Sequence, residues 1–370
     1  MLMKSEYIKL LKTMDETFSD LFIWLAGQYD SLTGGFYYAR SSMEDHRFTP
    51  DIESSSQALN ILLRNDVLFK LPHQVKSNMI HFFQSKQQQG SGYFYDENPA
   101  MKKDEVMVHR AINYSTGALK RLGSVPLYPL PLHSDTAPDY AKTPEAYLEK
   151  WKQIDLTNSW RGCDLLSASC VYIGEMEEKI REPFIHAAVN YLGSIQDQTT
   201  GLWGEGDLYV RISGTFKLHT FYSRFNIPMP HTDLIYNSIL KCLRTEVAMD
   251  MCYVRNPINL LAYMDVTIPD QELKEIIEIT VTNMKKFKRE DGAFSRELYN
   301  SPKAPNVAQV KDGEYYPDMP EPVSLGRGLM EGDMNASTQA TLIRLQCYQL
   351  AGLRAEPLNE ADDFLTALKR

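Results

Sequence analysis

The sequence predicts an all-α protein, a single (α/α)6 toroid over residues 1–370 made of six helical hairpins. Three observations carry that expectation. Short Gly-x-aromatic turns recur four times along the 370 residues. Helical segments rich in Ala, Ser, Gly and Leu, each opening on polar residues, alternate with amphipathic segments that carry a charged face. No stretch alternates apolar and polar residues as a half-buried strand does.

The turns constrain everything around them, because a repeat fixes how its neighbours must stack. They read WLAGQYDSLTGGF (24–36), FFQSKQQQGSGYF (82–94), YLGSIQDQTTGLW (191–203) and MKKFKREDGAF (284–294). Each looks like a helix end whose glycine permits a tight reversal. The aromatic ring then packs back on the preceding helix, and Gln28, Gln87, Gln196 or Lys288 satisfies its last carbonyls.

Six polar-headed segments form the expected inner ring. They begin at 51 (DIESSSQALNILL), 109 (HRAINYSTGALKRLG), 163 (CDLLSASCVYIG), 211 (RISGTFKLHTFYSRF), 254 (VRNPINLLAYM) and 332 (GDMNASTQATLIRLQCYQL). Few charges follow the first turn of each, which is the composition of a helix apolar on most faces and therefore buried. The outer partners are 4–28, 72–89, 143–153, 179–197, 232–246 and 270–289. In the last, apolar residues at 273, 276, 277, 280, 281 and 284 keep helical spacing. The Pro-rich stretches 125–144 and 299–328 exceed a simple connection, so both are expected to fold over one end of the ring.

Composition narrows the partners. Hydrophobic residues at 43% are enough for a sizeable core, and a net charge of −9 without any Lys/Arg run argues against nucleic acid. The N-terminus lacks the apolar run of a signal peptide, and no window reaches 18 uncharged apolar residues. Five scattered cysteines without C-x-x-C suit reduced thiols and a cytoplasmic protein. No Walker or dinucleotide glycine pattern occurs, so no cofactor is expected.

Parallel inner helices would gather their N-termini, with unpaired N–H groups and partial positive charge, around one pocket. The polar residues at those starts are the candidate site. Glu53, Asp51, Asp333 and Asp164 are the candidate catalytic carboxylates. Arg110, His109, Arg211, Arg255, Asn256, Glu331 and Asn335, with Trp203 and Glu205 from the Gly-rich loop GLWGEGDLYVRISG, are the candidate substrate-binding residues. Carboxylates crowded together raise one another's pKa and arginines lower it, which lets an acid and a base coexist at neutral pH. Asp, Asn and Ser at helix starts also serve as N-caps, a purely structural role.

The turns resemble the Gln-Trp repeats of the terpenoid cyclase and protein prenyltransferase superfamily. Gln196, Gly201 and Trp203 match that pattern, while Phe36 and Phe94 stand where Trp is usual and Lys288 where Gln is usual. The resemblance implies an α/α toroid. It also places Glu53 of DIESSSQA in the proton-donor position of class II cyclases, with Asp51 as its partner and Ser54 in place of the last Asp. DMNASTQA carries Asn335 at the corresponding place. The prenyltransferase zinc site would need Asp250-x-Cys252 and a later His; the last histidine is His231, so no metal is expected.

Three functions are compatible with these residues. One is a terpenoid-cyclase-like enzyme using the rim carboxylates on an isoprenoid small molecule. Another is a carbohydrate-active hydrolase or lyase acting on an anionic oligosaccharide, with arginines suited to bidentate contacts. A third is a non-catalytic ring that binds a ligand or peptide. The lining of the pocket separates the first two, since a polyene needs apolar walls and a glycan a polar floor.

Overall fold

In the computed structural model, residues 2–133, 136–307 and 316–369 are described. The helices are α1 (Leu2–Asp15), α2 (Leu21–Gly27), α3 (Arg40–Met43), α4 (Ile52–Arg64), α5 (His73–Ser85), α6 (Glu105–Arg121), α7 (Pro144–Lys152) and α8 (Ser159–Ala168). They continue with α9 (Cys170–Ile173), α10 (Glu178–Ile195), α11 (Leu208–Arg224), α12 (Thr232–Thr245), α13 (Met251–Tyr263), α14 (Asp270–Phe287), α15 (Met334–Leu350) and α16 (Asp363–Ala367). Strand pairing among the described residues is confined to isolated bridges, including Tyr29 with Phe36, Gln87 with Phe94 and Lys288 with Phe294 at the turns. The chain is all-helical.

Packing separates two sets. The small-residue helices contact one another in sequence: α4 with α6, α6 with α8, α8 with α11, α11 with α13, α13 with α15, and α15 with α4 again. The amphipathic helices lie against them, α5 on α6, α12 on α11, and α14 on α13 and α15. Helix α14 shows why. Leu273, Ile276, Ile277, Val281, Met284 and Phe287 are all buried on one stripe, and each such side chain stabilises the fold by about 1.5–3 kcal/mol relative to exposure.

The repeated turns are built as the sequence suggests, with one difference. Phe36, Phe94, Trp203 and Phe294 are all fully buried. Gln87 donates to Gly92 O at 3.1 Å and Tyr128 O at 2.9 Å, and accepts from Tyr128 N at 2.9 Å. Gln196 donates to Gly201 O at 2.8 Å, and Lys288 does the same to Gly292 O at 2.7 Å. These side chains span the reversal instead of capping the helix behind it; only Gln28 reaches back to a helical carbonyl, Trp24 O, at 3.3 Å. Lys288 is therefore a working replacement for glutamine.

Five inner helices open on a side-chain cap. Asp51 accepts from Ser54 N, Asp104 from Val106 N, Asn158 from Arg161 N, Asp250 from Cys252 N and Asp333 from Ala336 N. At α11 the cap comes from outside: Glu246 takes both Leu208 N and Tyr209 N at 3.0 Å. The two Pro-rich stretches part company. Tyr128 and Thr136 of 125–144 are tied to the second turn, at Gln87 and Ser91. Pro305 and Asn306 of 299–328 reach the central cavity instead. Residues 134–135 and 308–315 of these stretches lie outside the described residues.

Candidate functional site

The N-terminal ends of the inner helices converge. Asn335 Nδ2 of α15 donates to Glu53 Oε1 of α4 at 3.2 Å. Arg161 of α8 pairs with Asp104, the cap of α6, at 3.2 Å. Tyr253 of α13 stacks on Tyr209 of α11 at 4.8 Å and meets Trp160 of α8 at 5.7 Å. Arg296 binds the α13 cap Asp250 at 2.8 Å and Asn335 Oδ1 at 3.2 Å. Glu53 and Asp333 consequently start neighbouring helices at the same end.

Between these ends lies a cavity of about 360 Å³, lined by all six inner helices. Its walls follow helical spacing, i, i+4, i+7: Glu53, Gln57, Asn60 and Arg64 on α4, for example, or Asn335, Gln339 and Leu342 on α15. A polar chain crosses them. Gln57 Nε2 donates to Glu53 Oε1 at 3.0 Å, on the oxygen that Asn335 also reaches. Glu53 Oε2 lies 4.0 Å from Arg110 Nη1, and Arg110 Nη2 donates to Asp164 Oδ2. Lys217 Nζ meets the same Asp164 oxygen at 2.8 Å. One guanidinium thus spans two carboxylates, and the second carboxylate is clamped between two cations.

The charges respond to that geometry. Burial opposes the Asp164 carboxylate, yet Arg110 and Lys217 hold its pKa down to about 2. Burial and neighbouring Arg110 bring Lys217 down to about 8, against the pull of Asp164. Arg110 is driven up despite burial by Asp164 and Glu53, and the Tyr114 hydroxyl is pushed up by burial and Glu53. Asp164 is therefore ionised throughout the physiological range.

The cavity collects five of the sequence candidates: Glu53, Asp164, Arg110, Arg255 and Asn335. The others have structural positions. Asp51 is a buried cap whose Oδ1 accepts from Ser54 N at 2.8 Å, and it lines a separate recess with Asp96. Asp333 is fully buried, holding Ala336 N, Arg296 N and Ser301 Oγ. His109 points away from the cavity, within 3.3 Å of Tyr140 Oη and edge-on to Tyr172; burial lowers its pKa to about 4. Trp203 packs under its turn and donates to Leu192 O at 2.9 Å.

Glu205 is exposed. Arg211 returns to the third turn, binding Asp197 at 2.9 Å. Asn256 ties α13 to Ser213 of α11 at 2.8 Å. Glu331 accepts from Ser41 N at 2.9 Å and holds the α3 segment. A polar residue near a helix start faces the cavity only if its helical phase does, and Arg211, Asn256 and Glu331 are turned toward neighbouring elements.

Several lining residues were missed, chiefly Lys217, Arg64, Gln57, Tyr114 and Trp160. A signal existed for Lys217, a charge in the middle of the otherwise uncharged run SGTFKLHTF. The Asp250 carboxylate, in the Asp250-x-Cys252 pair, is engaged by protein donors: it holds Arg296 at 2.8 Å and Cys252 N at 2.7 Å.

No protein-family model matches the chain, and no curated protein matches it. Among solved structures, a protein from Actinoplanes is similar at 12% identity over 94% of this chain and 99% of that one, with a TM-score of 0.42.

Proposed function

We propose that the six packed hairpins form an (α/α)6 toroid, a single domain, whose N-terminal mouth cleaves a glycosidic bond by acid–base chemistry. The observation that carries this reading is the polar chain Asn335–Glu53–Arg110–Asp164–Lys217, which runs through five inner helices around one cavity. Two carboxylates in unlike surroundings are what glycoside hydrolysis requires. Asp164, kept ionised by its two cations, is the carboxylate that stabilises positive charge at the anomeric carbon or activates water. Glu53 meets no described cation nearer than 4.0 Å and is assigned the proton transfer to the leaving oxygen. Tyr114 and Trp160 also line the cavity and offer aromatic surface to a sugar ring.

The floor supports this choice over an isoprenoid substrate. Gln57, Asn60, Arg64, Asn113, Ser167 and Gln339 surround it, where a polyene would need aliphatic or aromatic walls. The test is a saccharide and polyene screen followed by product analysis with the wild type and Glu53→Gln. The wild type is expected to release a hydrolysed sugar lacking the double bond that an eliminase leaves. Glu53→Gln is expected to lower kcat by about 10²–10⁴-fold, the usual contribution of a general acid, with Tm within a few degrees. Full activity of the variant, or cyclisation of a polyene without any action on saccharides, would overturn the reading.

A further inference from the structure

We infer that the floor of the central cavity is a carboxylate subsite, so that the saccharide it takes carries a uronic acid unit held by Arg255, with Arg64 beside it. The inference deepens the glycosidic reading and rests on it for the sugar, but the anion site itself stands on separate observations.

Arg255 and Arg64 both line the cavity, and among the described residues neither meets a carboxylate. Arg64 directs only Nη1 to protein acceptors, the Thr338 carbonyl and hydroxyl at 2.9 and 3.1 Å and the Thr341 hydroxyl at 3.0 Å. The Arg255 guanidinium carbon sits over the Phe216 ring, 3.9 Å from its centroid. Its nearest polar contact is Cys252 Sγ at 4.0 Å, and its buried Nε has no acceptor. The ring contact holds the guanidinium in place, and among the described residues its one hydrogen-bond partner is that thiol, a weak acceptor, so donor capacity is left for a carboxylate. Lys217 completes the group, and its single carboxylate, Asp164, is shared with Arg110.

Like charges gathered in a half-enclosed space repel one another, and burial lowers the pKa of both Arg64 and Arg255. The other buried arginines of this region are each neutralised: Arg110 by Asp164, Arg161 by Asp104, Arg296 by Asp250. The unneutralised pair is the exception that an anionic ligand would complete. It also changes the residues expected from sequence to receive an anionic sugar. Arg110 is engaged by cavity carboxylates and Arg211 by Asp197, leaving Arg255 from that set and adding Arg64.

The test is equilibrium binding, independent of turnover. Glucuronate, glucose and inorganic phosphate are titrated calorimetrically into the wild type, Arg255→Met, Arg255→Lys and Arg64→Met. Glucuronate is expected to bind the wild type at least tenfold more tightly than glucose. Arg255→Met should erase that preference, Arg64→Met should reduce it, and Arg255→Lys should restore part of it with weaker binding. Equal affinity for glucose and glucuronate, or an unchanged preference in Arg255→Met of native Tm, would overturn the inference. So would phosphate outcompeting glucuronate, which would point to a phosphate ester. Hydrolysis of neutral saccharides with no uronate preference would remove the subsite while leaving the acid–base reading. Uronate binding with a fully active Glu53→Gln would do the reverse.

Discussion

Asp51 and Glu53 stand two residues apart and do different work. Asp51 caps α4 and turns into the protein, where burial and neighbouring Asp96 raise its pKa to about 8. Glu53, in the first turn of the helix that Asp51 caps, faces the cavity. The corresponding pair repeats the division: Asp333 caps α15, and Asn335 touches Glu53. A raised carboxyl pKa means that the folded state keeps a proton the unfolded chain releases near pH 4. The stability this contributes is present below that pH and is lost as pH rises toward 8. Asparagine caps as well as aspartate and does not titrate. Thermal melts of Asp51→Asn should therefore gain on the wild type progressively between pH 5 and pH 8, by several degrees, and a pH-independent difference would sink the assignment.

Residue type at a helix start was legible in the sequence, but phase was not. Asp164 reads as a candidate cap when α8 is begun at 163; the helix begins at Ser159, capped by Asn158. Asp164 then falls in the second turn and points inward. The same shift moves His109 into the second turn of α6, about 100° round from Arg110, where it meets Tyr140 and Tyr172 instead of the cavity. A few residues of uncertainty at a boundary rotate a side chain by more than half a turn.

At the scale of elements, the turns carry most of the repeat. Gly34, Gly92, Gly201 and Gly292 all have positive φ. At Gly92 there is a second demand, because an added Cβ would lie 2.0 Å from Pro129 O, whereas Gly90, also left-handed, faces open space. The two separate conformational strain from crowding. Gly90→Ala should cost about 1–2 kcal/mol, the left-handed penalty alone. Gly92→Ala should cost about 3 kcal/mol or more, since overpacking adds to it. Urea unfolding would distinguish them, and equal losses would show that the close approach to 125–144 is unimportant.

The Gln and Lys side chains do hold these turns, but only Gln28 reaches the preceding helix as expected; the bonds of Gln87, Gln196 and Lys288 lie across the reversal. Sequence marks which residue is available to donate, and only the packed loop supplies its acceptor. The outer helices were the plainest case, because an amphipathic stripe such as that of α14 is written in period 3.6.

For the whole molecule, Asn306 is one of several ties that hold 299–328 at the cavity, beside Arg161 Nε on Asp318 O at 3.2 Å and Lys103 on Glu321 at 2.9 Å. Asn306 donates to Asp104 Oδ2 at 3.3 Å and Glu321 O at 3.0 Å, and accepts from Val323 N at 3.0 Å. It thereby pins both described arms of 299–328 to the start of α6. Asn306→Ala should accelerate amide exchange in 299–307 and 316–328 about tenfold, as a loss of roughly 1–2 kcal/mol implies, while the inner helices keep their protection. Unchanged exchange in both arms would mean that the other ties suffice without Asn306. The stretch 125–144 reads the same in sequence, long and Pro-rich, yet it is anchored on the second turn. Nothing local distinguishes a roof from an outer strap.

The sequence by itself determined the helical class, the alternation of buried and amphipathic helices, the four turns and the residues that cap α4 and α15. Each is set within one helix or one reversal, by periodicity, glycine and capping chemistry. Tertiary structure alone decided which polar side chains share a cavity, that Arg110 joins Glu53 to Asp164, and that Arg64 and Arg255 are left without an anion. Those relations join residues more than forty positions apart, and their distances exist only after the helices have packed.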